Sequence, residues 1–336
     1  MGTTYSVKCL ALPTTVPSRA LQSSIDQLLE QIEQQMSTYR LDAELSRFNR
    51  HAGTNWFAVA ASLAEVVAEA QHVSQITDGA FDVTVGPLVD LWGFGPQRHT
   101  GAIPDAAAIT ATRRNVGYQR LEARLSPPAL RKSASAIRID LSGIAKGYAV
   151  DAIARRLDTL GITNHLVAVG GELKGSGVDA NGRAWRVGIE QPDPTTLQIQ
   201  AVVPLANRGV STSGDYRNSF EANGRSYGHI IDPRTGRPPD HSLASVAVVH
   251  ESSTRADALA TALMVLGPER GYEFATRNGL ACLFILRAGG EFVAKQTKAF
   301  ARLQSPALRP IGQAPLPAPR EIPPVAQPTL NQTVFK

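Results

Sequence analysis

Residues 245–267 read SVAVVHESSTRADALATALMVLG: an apolar run, a short polar turn, then a second apolar run with a different period. The first run predicts a strand over 243–250 and the second an amphipathic helix that sets Asp257 and Thr261 four residues apart. Side chains at that spacing stack on one helix face. Two readings of the pair stay open at this point. A carboxylate and a hydroxyl side by side can both meet one Mg²⁺, a cation that takes oxygen ligands and commonly completes its shell with phosphate. Alternatively, Thr254 followed three residues later by Asp257 is a variant of the capping box, with an acid favoured in the first turn by the helix dipole.

Outward from this stretch, YSVKCLAL predicts a first strand. Leu21, Ile25, Leu28, Leu29, Ile32 and Met36 mark an amphipathic helix over 18–36, and MSTYRLDAELSRFN a loop and short helix. A helix over 61–77 stops at Gly79, and a further one spans 104–116. Arg138–Asp140 reads as the end of a strand that feeds through LSGIAKG into a helix reaching Leu160. Strands are expected at 165–173, 183–191 and 200–211, then hairpins turning on Asn223-Gly224 and on Gly289-Gly290, with a helix from Pro268 between them. Strands and helices mix without a βαβ rhythm, so the expected class is α+β, with mixed or antiparallel sheets and packed helices. Eight prolines lie between Pro306 and Pro328. The expected organisation is one domain over 1–303 and a Pro-rich, disordered or extended tail over 304–336.

With 336 residues and 43% hydrophobic content, the chain is long enough to bury a large core. Its formal charge of +5 is scattered, with no basic cluster interleaved with aromatics, which excludes a nucleic-acid binder. Cys9 and Cys282 sit in separate apolar runs and form neither a zinc pattern nor a CxxC. No run is long and apolar enough to span a bilayer, and MGTTYSVK holds no basic-apolar leader or lipobox cysteine. As written, no export signal and no transmembrane segment are expected.

The segment IDLSGIAKGYAVD, 139–151, places Lys146 among small residues at a helix start. A phosphate can use free N–H groups there, with Lys146 neutralising it and the Gly143 carbonyl as a neutral oxygen ligand. The pattern matches neither a Walker A loop nor GxGxxG, and Ser142 as an N-cap with Gly147 for helix packing is the plainer alternative. LVAVGGELKGSG puts Gly170 and Gly171 directly after an apolar strand, and VSTSGDYRNSF clusters hydroxyls without the spacing of a GxSxG elbow. YGHIIDPRTGRPPD supplies His229, either a structural histidine or a general acid-base group. Phe81, Asp82, Trp92 and Tyr39 stand at non-periodic positions, suited to a flat ring system or, for Trp92, to the core.

Together these segments resemble the ApbE family of flavin transferases. The resemblance rests on MGTTYS, MSTYRLDAELSRFN, GAFDVTVGPLVDLWGFG, DLSGIAKGYAVD, VAVGGEL, STSGDYR, HIIDPRTGRP and ADALATALMVLG, in family order from residue 1 to about 296. It implies an ApbE-like, T-fold-related architecture of two intertwined lobes with the ligand site in the cleft between them. It also implies Mg²⁺-dependent cleavage of FAD as substrate, transfer of FMN to a threonine or serine hydroxyl of an acceptor flavoprotein, and release of AMP. By the same resemblance, Gly143, Asp257 and Thr261 would ligate Mg²⁺. Met1, Tyr39, Ala80, Phe81, Asp82, Asp140, Lys146 and the Ile230-Ile231 backbone would line the FAD site. His229, with help from Asp257, would take the acceptor proton. Family members commonly work in the periplasm or anchored at the cytoplasmic membrane. Two other functions fit the same residues: an Mg²⁺-dependent FAD pyrophosphatase giving FMN and AMP, and an FAD-binding protein without catalysis.

Overall fold

The structure, a computed structural model, describes residues 2–96, 102–193, 195–216 and 218–304, and the backbone of 333–335. The chain opens with β1 (Tyr5–Cys9), α1 (Ser18–Met36), α2 (Glu44–Arg50), β2 (Phe57–Ala58) and α3 (Ala61–Ile76). Then come α4 (Gly86–Leu91), α5 (Ala106–Arg113), β3 (Leu121–Leu125), β4 (Pro128–Lys132) and α6 (Ala145–Thr159). Five strands follow: β5 (His165–Val169), β6 (Glu172–Ser176), β7 (Trp185–Glu190), β8 (Ile199–Leu205) and β9 (Arg208–Gly214). The last part holds β10 (Ser219–Ala222), β11 (Arg225–Gly228), β12 (Leu243–His250), α7 (Ser253–Arg277), β13 (Ala281–Ala288), β14 (Glu291–Gln296), α8 (Lys298–Gln304) and β15 (Thr333–Phe335).

Eight strands form one antiparallel sheet in the order β14-β13-β12-β9-β6-β5-β1-β15. Side-chain alternation sorts its central strands onto two cores. Val246, Val248, Cys282 and Phe284 join the larger core beneath α6 and α7, while Ala247, Val249, Leu283 and Ile285 join a second core under the β7–β8 hairpin and α8. Both faces are covered, which is why residues 246–249 are apolar at every position rather than at alternate ones. A third apolar cluster, Leu88, Trp92, Ile109 and Ile231, lies beside the β10–β11 hairpin, whose Phe220 and Tyr227 pack against it. The expected α+β class, with packed helices on antiparallel sheets, is what forms. Among the described residues no helix is long and apolar enough to cross a membrane.

Several boundaries differ from the sequence expectation. Arg138–Asp140 is not a strand end. The Asn49 side chain takes both backbone groups of Ile139, and the Asp140 N–H donates to the Val83 carbonyl, so no ladder partner is left for this stretch. The expected strand 165–173 folds back at Gly170 and Gly171, whose φ of 58° and 101° suit glycine. The expected strand 200–211 is two strands, turning at Asn207 with φ 55°. The helix expected from Pro268 does form: the backbone leaves helical geometry at Gly267, where φ is 81° and ψ −175°, so α7 is two helical segments joined at that kink. Most of the 304–336 tail lies outside the described residues. Of its described part, Gln304 closes α8 and residues 333–335 pair with β1.

Candidate active site

Two helix starts meet at the end of the large sheet. Helix α6 begins at Ala145, and its third residue, Gly147, packs so tightly against α7 that a Cβ there would lie 2.2 Å from the Ser253 carbonyl oxygen. This close approach lets the buried Asp257 carboxylate cross between helices. Its Oδ2 accepts the Gly147 N–H at 2.9 Å, and Oδ1 lies 3.3 Å from Lys146 Nζ. One turn on, Thr261 Oγ1 lies 3.3 Å from Ser213 Oγ, and a Cβ on Gly143 would stand 3.0 Å from that same Oγ1. Gly143, Asp257 and Thr261 therefore lie side by side on the lining of one cavity.

This geometry overturns the capping reading of Thr254 and Asp257. The N-cap of α7 is Ser252, whose hydroxyl accepts from Arg255 N, and Asp257 turns away from that helix end toward α6. Asp151, from the middle of α6, does the rest of the capping. It accepts from Ser253 N, Thr254 N, Thr254 Oγ1 and Ser252 Oγ, and pairs with Lys174 Nζ at 2.8 Å. Ser142 does not cap α6 either; the residue before that helix is Ile144, and Ser142 N donates to Asp140 Oδ1 at 2.7 Å. The N–H groups of Ala145 and Gly147 are already engaged, so the α6 start offers fewer free donors than the sequence suggested.

Lys146 is held by a second acid. Glu172 is 2% exposed, and its Oε1 sits 2.5 Å from Lys146 Nζ. Burial alone would lower the lysine pKa, but the Asp257 and Glu172 charges outweigh it and hold the ammonium protonated, above its ordinary range. Glu172 is raised by burial and by the nearby Asp257 charge, with Lys146 acting in the opposite direction. Across the cleft, burial lowers the His229 pKa, so the ring is neutral near pH 7. His229 Nδ1 lies 3.1 Å from the Asn218 carbonyl oxygen. A carbonyl only accepts, so Nδ1 carries the proton and Nε2 keeps its lone pair.

These groups line one cavity of about 690 Å³, within the usual range for small-molecule sites. Over residues 1–284 the chain matches the ApbE family. The chain belongs to the ApbE family. It is 44% identical over 292 residues to the FAD:protein FMN transferase of Vibrio cholerae, covering 87% of each chain. A relative of the same name from Haemophilus influenzae is 40% identical over 308 residues, covering 90% of this chain and 89% of the relative. The solved structure of the flavin transferase ApbE from Vibrio cholerae superposes with a TM-score of 0.83 at 41% identity, over 90% of this chain and 96% of that one. An ApbE protein from Thermotoga maritima does so at 0.79 with 26% identity, over 89% and 96%.

The cavity gathers Tyr39, Ala80, Phe81, Asp82, Asp140, Gly143, Lys146, His229, Ile230, Ile231, Asp257 and Thr261. Met1, the remaining ApbE-type candidate, lies outside the described residues. Tyr39 is 64% exposed at the rim, its hydroxyl 3.5 Å from the Phe94 carbonyl oxygen. Asp82 borders the cavity but spends its carboxylate on Thr84 N, Thr84 Oγ1 and Tyr118 N, so it shapes the turn that carries Phe81. Trp92 is core: it is 2% exposed, donates to the Gly236 carbonyl and stacks on Tyr227. Glu172 and Asp151 are the residues that sequence reasoning passed over. Their signal is an acid placed where the pattern demands an apolar residue, directly after a diglycine turn in one case and on a helix's buried face in the other.

Among the described residues no three His, Cys, Asp or Glu side chains group to hold a metal. A donor set of one carboxylate, one hydroxyl and one carbonyl suits a hard cation whose shell is completed by water and phosphate. It does not suit zinc.

Proposed function

We propose that this chain is an FAD:protein FMN transferase that uses Mg²⁺ and modifies a threonine or serine hydroxyl. The observation that carries the reading is the convergence of Gly143, Asp257 and Thr261 with a charged Lys146, facing a neutral His229 across one cavity. The relatives' name supports FAD as substrate and a protein as acceptor.

In this reading Gly143, Asp257 and Thr261 hold Mg²⁺, which would neutralise charge on the pyrophosphate. Lys146, kept protonated by its two acids, binds the phosphate oxygens as a fixed cation. Tyr39 and Phe81 bracket the flavin ring, with Phe81 set by the Asp82 turn. Nε2 of His229 takes the proton from the acceptor hydroxyl as its oxygen attacks the FMN phosphorus. One P–O bond forms to the acceptor, the P–O bond to AMP breaks, and AMP leaves. Little covalent work falls to the protein, because such transfers depend on alignment and charge.

The test is a purified preparation incubated with FAD, Mg²⁺ and an acceptor flavoprotein domain, followed by intact-mass measurement. A mass increase equal to FMN less one water on the acceptor, absent without Mg²⁺, is the expected result. AMP release at the same rate without acceptor would instead make the chain a pyrophosphatase.

A further inference from the structure

A buried cation stands outside the cavity. Lys132 ends β4 on the face that Leu130 turns into the large core, and it is 1% exposed where strand alternation calls for an apolar side chain. Its Nζ lies 5.3 Å from the centre of the Phe48 ring. The three donors of the ammonium meet three backbone carbonyls, that of Asn49 at 3.0 Å and those of Ser135 and Ile137 at 3.1 Å. Among the described residues no carboxylate pairs with it. Burial, with the Arg138 charge adding to it, lowers its pKa to about 8, so at neutral pH the amine keeps its proton. A leucine or methionine would fill this position without the cost of burying a charge. What the ammonium adds is three directed hydrogen bonds.

Those bonds hold the segment that carries part of the site. Residues 133–144 form neither helix nor strand, and Asp140 and Gly143 lie on them. Lys132 grips the near end of this segment through Ser135 and Ile137, and ties it to the end of α2 through Asn49. The Asn49 side chain then takes the N–H and the carbonyl of Ile139, at 2.7 and 2.8 Å. Next in the chain, Asp140 N donates to the Val83 carbonyl, and Asp140 Oδ1 accepts from Ser142 N at 2.7 Å, one residue short of Gly143. We propose that Lys132 is a positioning residue for the metal site: its ammonium fixes the backbone that sets Gly143 beside Thr261. This proposal rests on the reading in which Gly143, Asp257 and Thr261 hold Mg²⁺.

The test titrates Mn²⁺ alone into the full chain and counts the free ion by electron paramagnetic resonance. Lys132→Met keeps the length of the side chain and removes its hydrogen bonds. It is expected to raise the Mn²⁺ dissociation constant about ten- to a hundredfold, the loss usual when a group that orients a metal ligand is removed. Amide exchange at residues 139–143 quickens in the same variant. Lys132→Gln keeps two donors for the carbonyls, so its loss is smaller, and it carries the test where Lys132→Met does not fold. Phe300→Ala, in the second core, lowers Tm and leaves Mn²⁺ affinity unchanged, which separates positioning from general loosening. Affinity weakened by Asp257→Asn but unmoved by both Lys132 variants, or weakened equally by Phe300→Ala, overturns the positioning role alone. If the unaltered chain binds no Mn²⁺, or Asp257→Asn leaves its binding unchanged, the metal reading fails and this proposal falls with it.

Discussion

At the residue scale, the account rests on charges whose partners are fixed. Replacing Asp257 by Asn keeps the shape but removes both the proposed metal ligand and one partner of Lys146. FMN transfer is expected to fall at least about 10²- to 10³-fold, a loss typical of removing one electrostatic group from a transition-state site. Turnover measured against Mg²⁺ concentration checks it, and a variant with unaltered Mg²⁺ dependence would remove Asp257 from the metal site. His229 yields a pH prediction. Burial holds its pKa below the ordinary 6.5, and the neutral form is the base, so activity is full at neutral pH and is lost only as pH falls through that lowered pKa. His229→Ala should flatten this acid limb in a pH–rate profile. Asp257, Lys146 and His229 were picked out in the sequence, Asp257 by its spacing to Thr261, Lys146 by its helix start among small residues and His229 by its place before a Pro-Arg-Thr-Gly turn, and all three line one cavity. Glu172 was not, since a single acid in a strand gives no hint of which cation it will face.

At the scale of elements, the junction between α6 and α7 sets the site. Gly147→Ala would drive a Cβ into the Ser253 carbonyl, and backbone cannot yield as a flexible side chain does. Overpacking of this kind costs about 1–3 kcal/mol. The expected outcome is a lowered Tm together with weakened Mg²⁺ dependence, because Asp257 moves with α7. Asp151→Ala strips the α7 start of its acceptor for Ser253 N and Thr254 N in a buried setting. Leaving such donors unmet costs about 1–3 kcal/mol each, so chemical denaturation should show one of the larger single-site losses in the chain. Helix positions here were readable from period alone: 18–36 was expected and Ser18–Met36 formed. The capping of α7 was only partly readable, because besides the local Ser252 N-cap its other acceptor, Asp151, comes from 101–103 residues upstream. Local pattern favoured Thr254 and Asp257, and a distant carboxylate displaced them.

At the scale of the whole molecule, a sheet covered on both faces buries groups that titrate near neutrality. His165 on β5 is fully buried, and burial lowers its pKa despite the opposing effect of Asp158. In the unfolded chain it takes up a proton near pH 6.5, whereas the folded chain does so only at lower pH. Its contribution to stability is therefore complete above 6.5 and declines as pH falls below it. Denaturation midpoints at pH 7.5 and pH 5.5 should differ in that direction, and His165→Asn should reduce the difference. The class of the fold was legible, since no βαβ rhythm exists. Strand order was not, because β9 inserts between β6 and β12 through contacts far apart in sequence. That order carries Ser213 and Glu172 to one end of the sheet, where α6 and α7 deliver Lys146, Asp257 and Thr261. Function hangs on this assembly, and one measurement tests it most directly. An acceptor flavoprotein incubated with this chain, FAD and Mg²⁺ is digested and sequenced by mass spectrometry. The account predicts the mass of FMN less one water on one threonine or serine, with an equal amount of AMP released. AMP without any protein-bound flavin would contradict it.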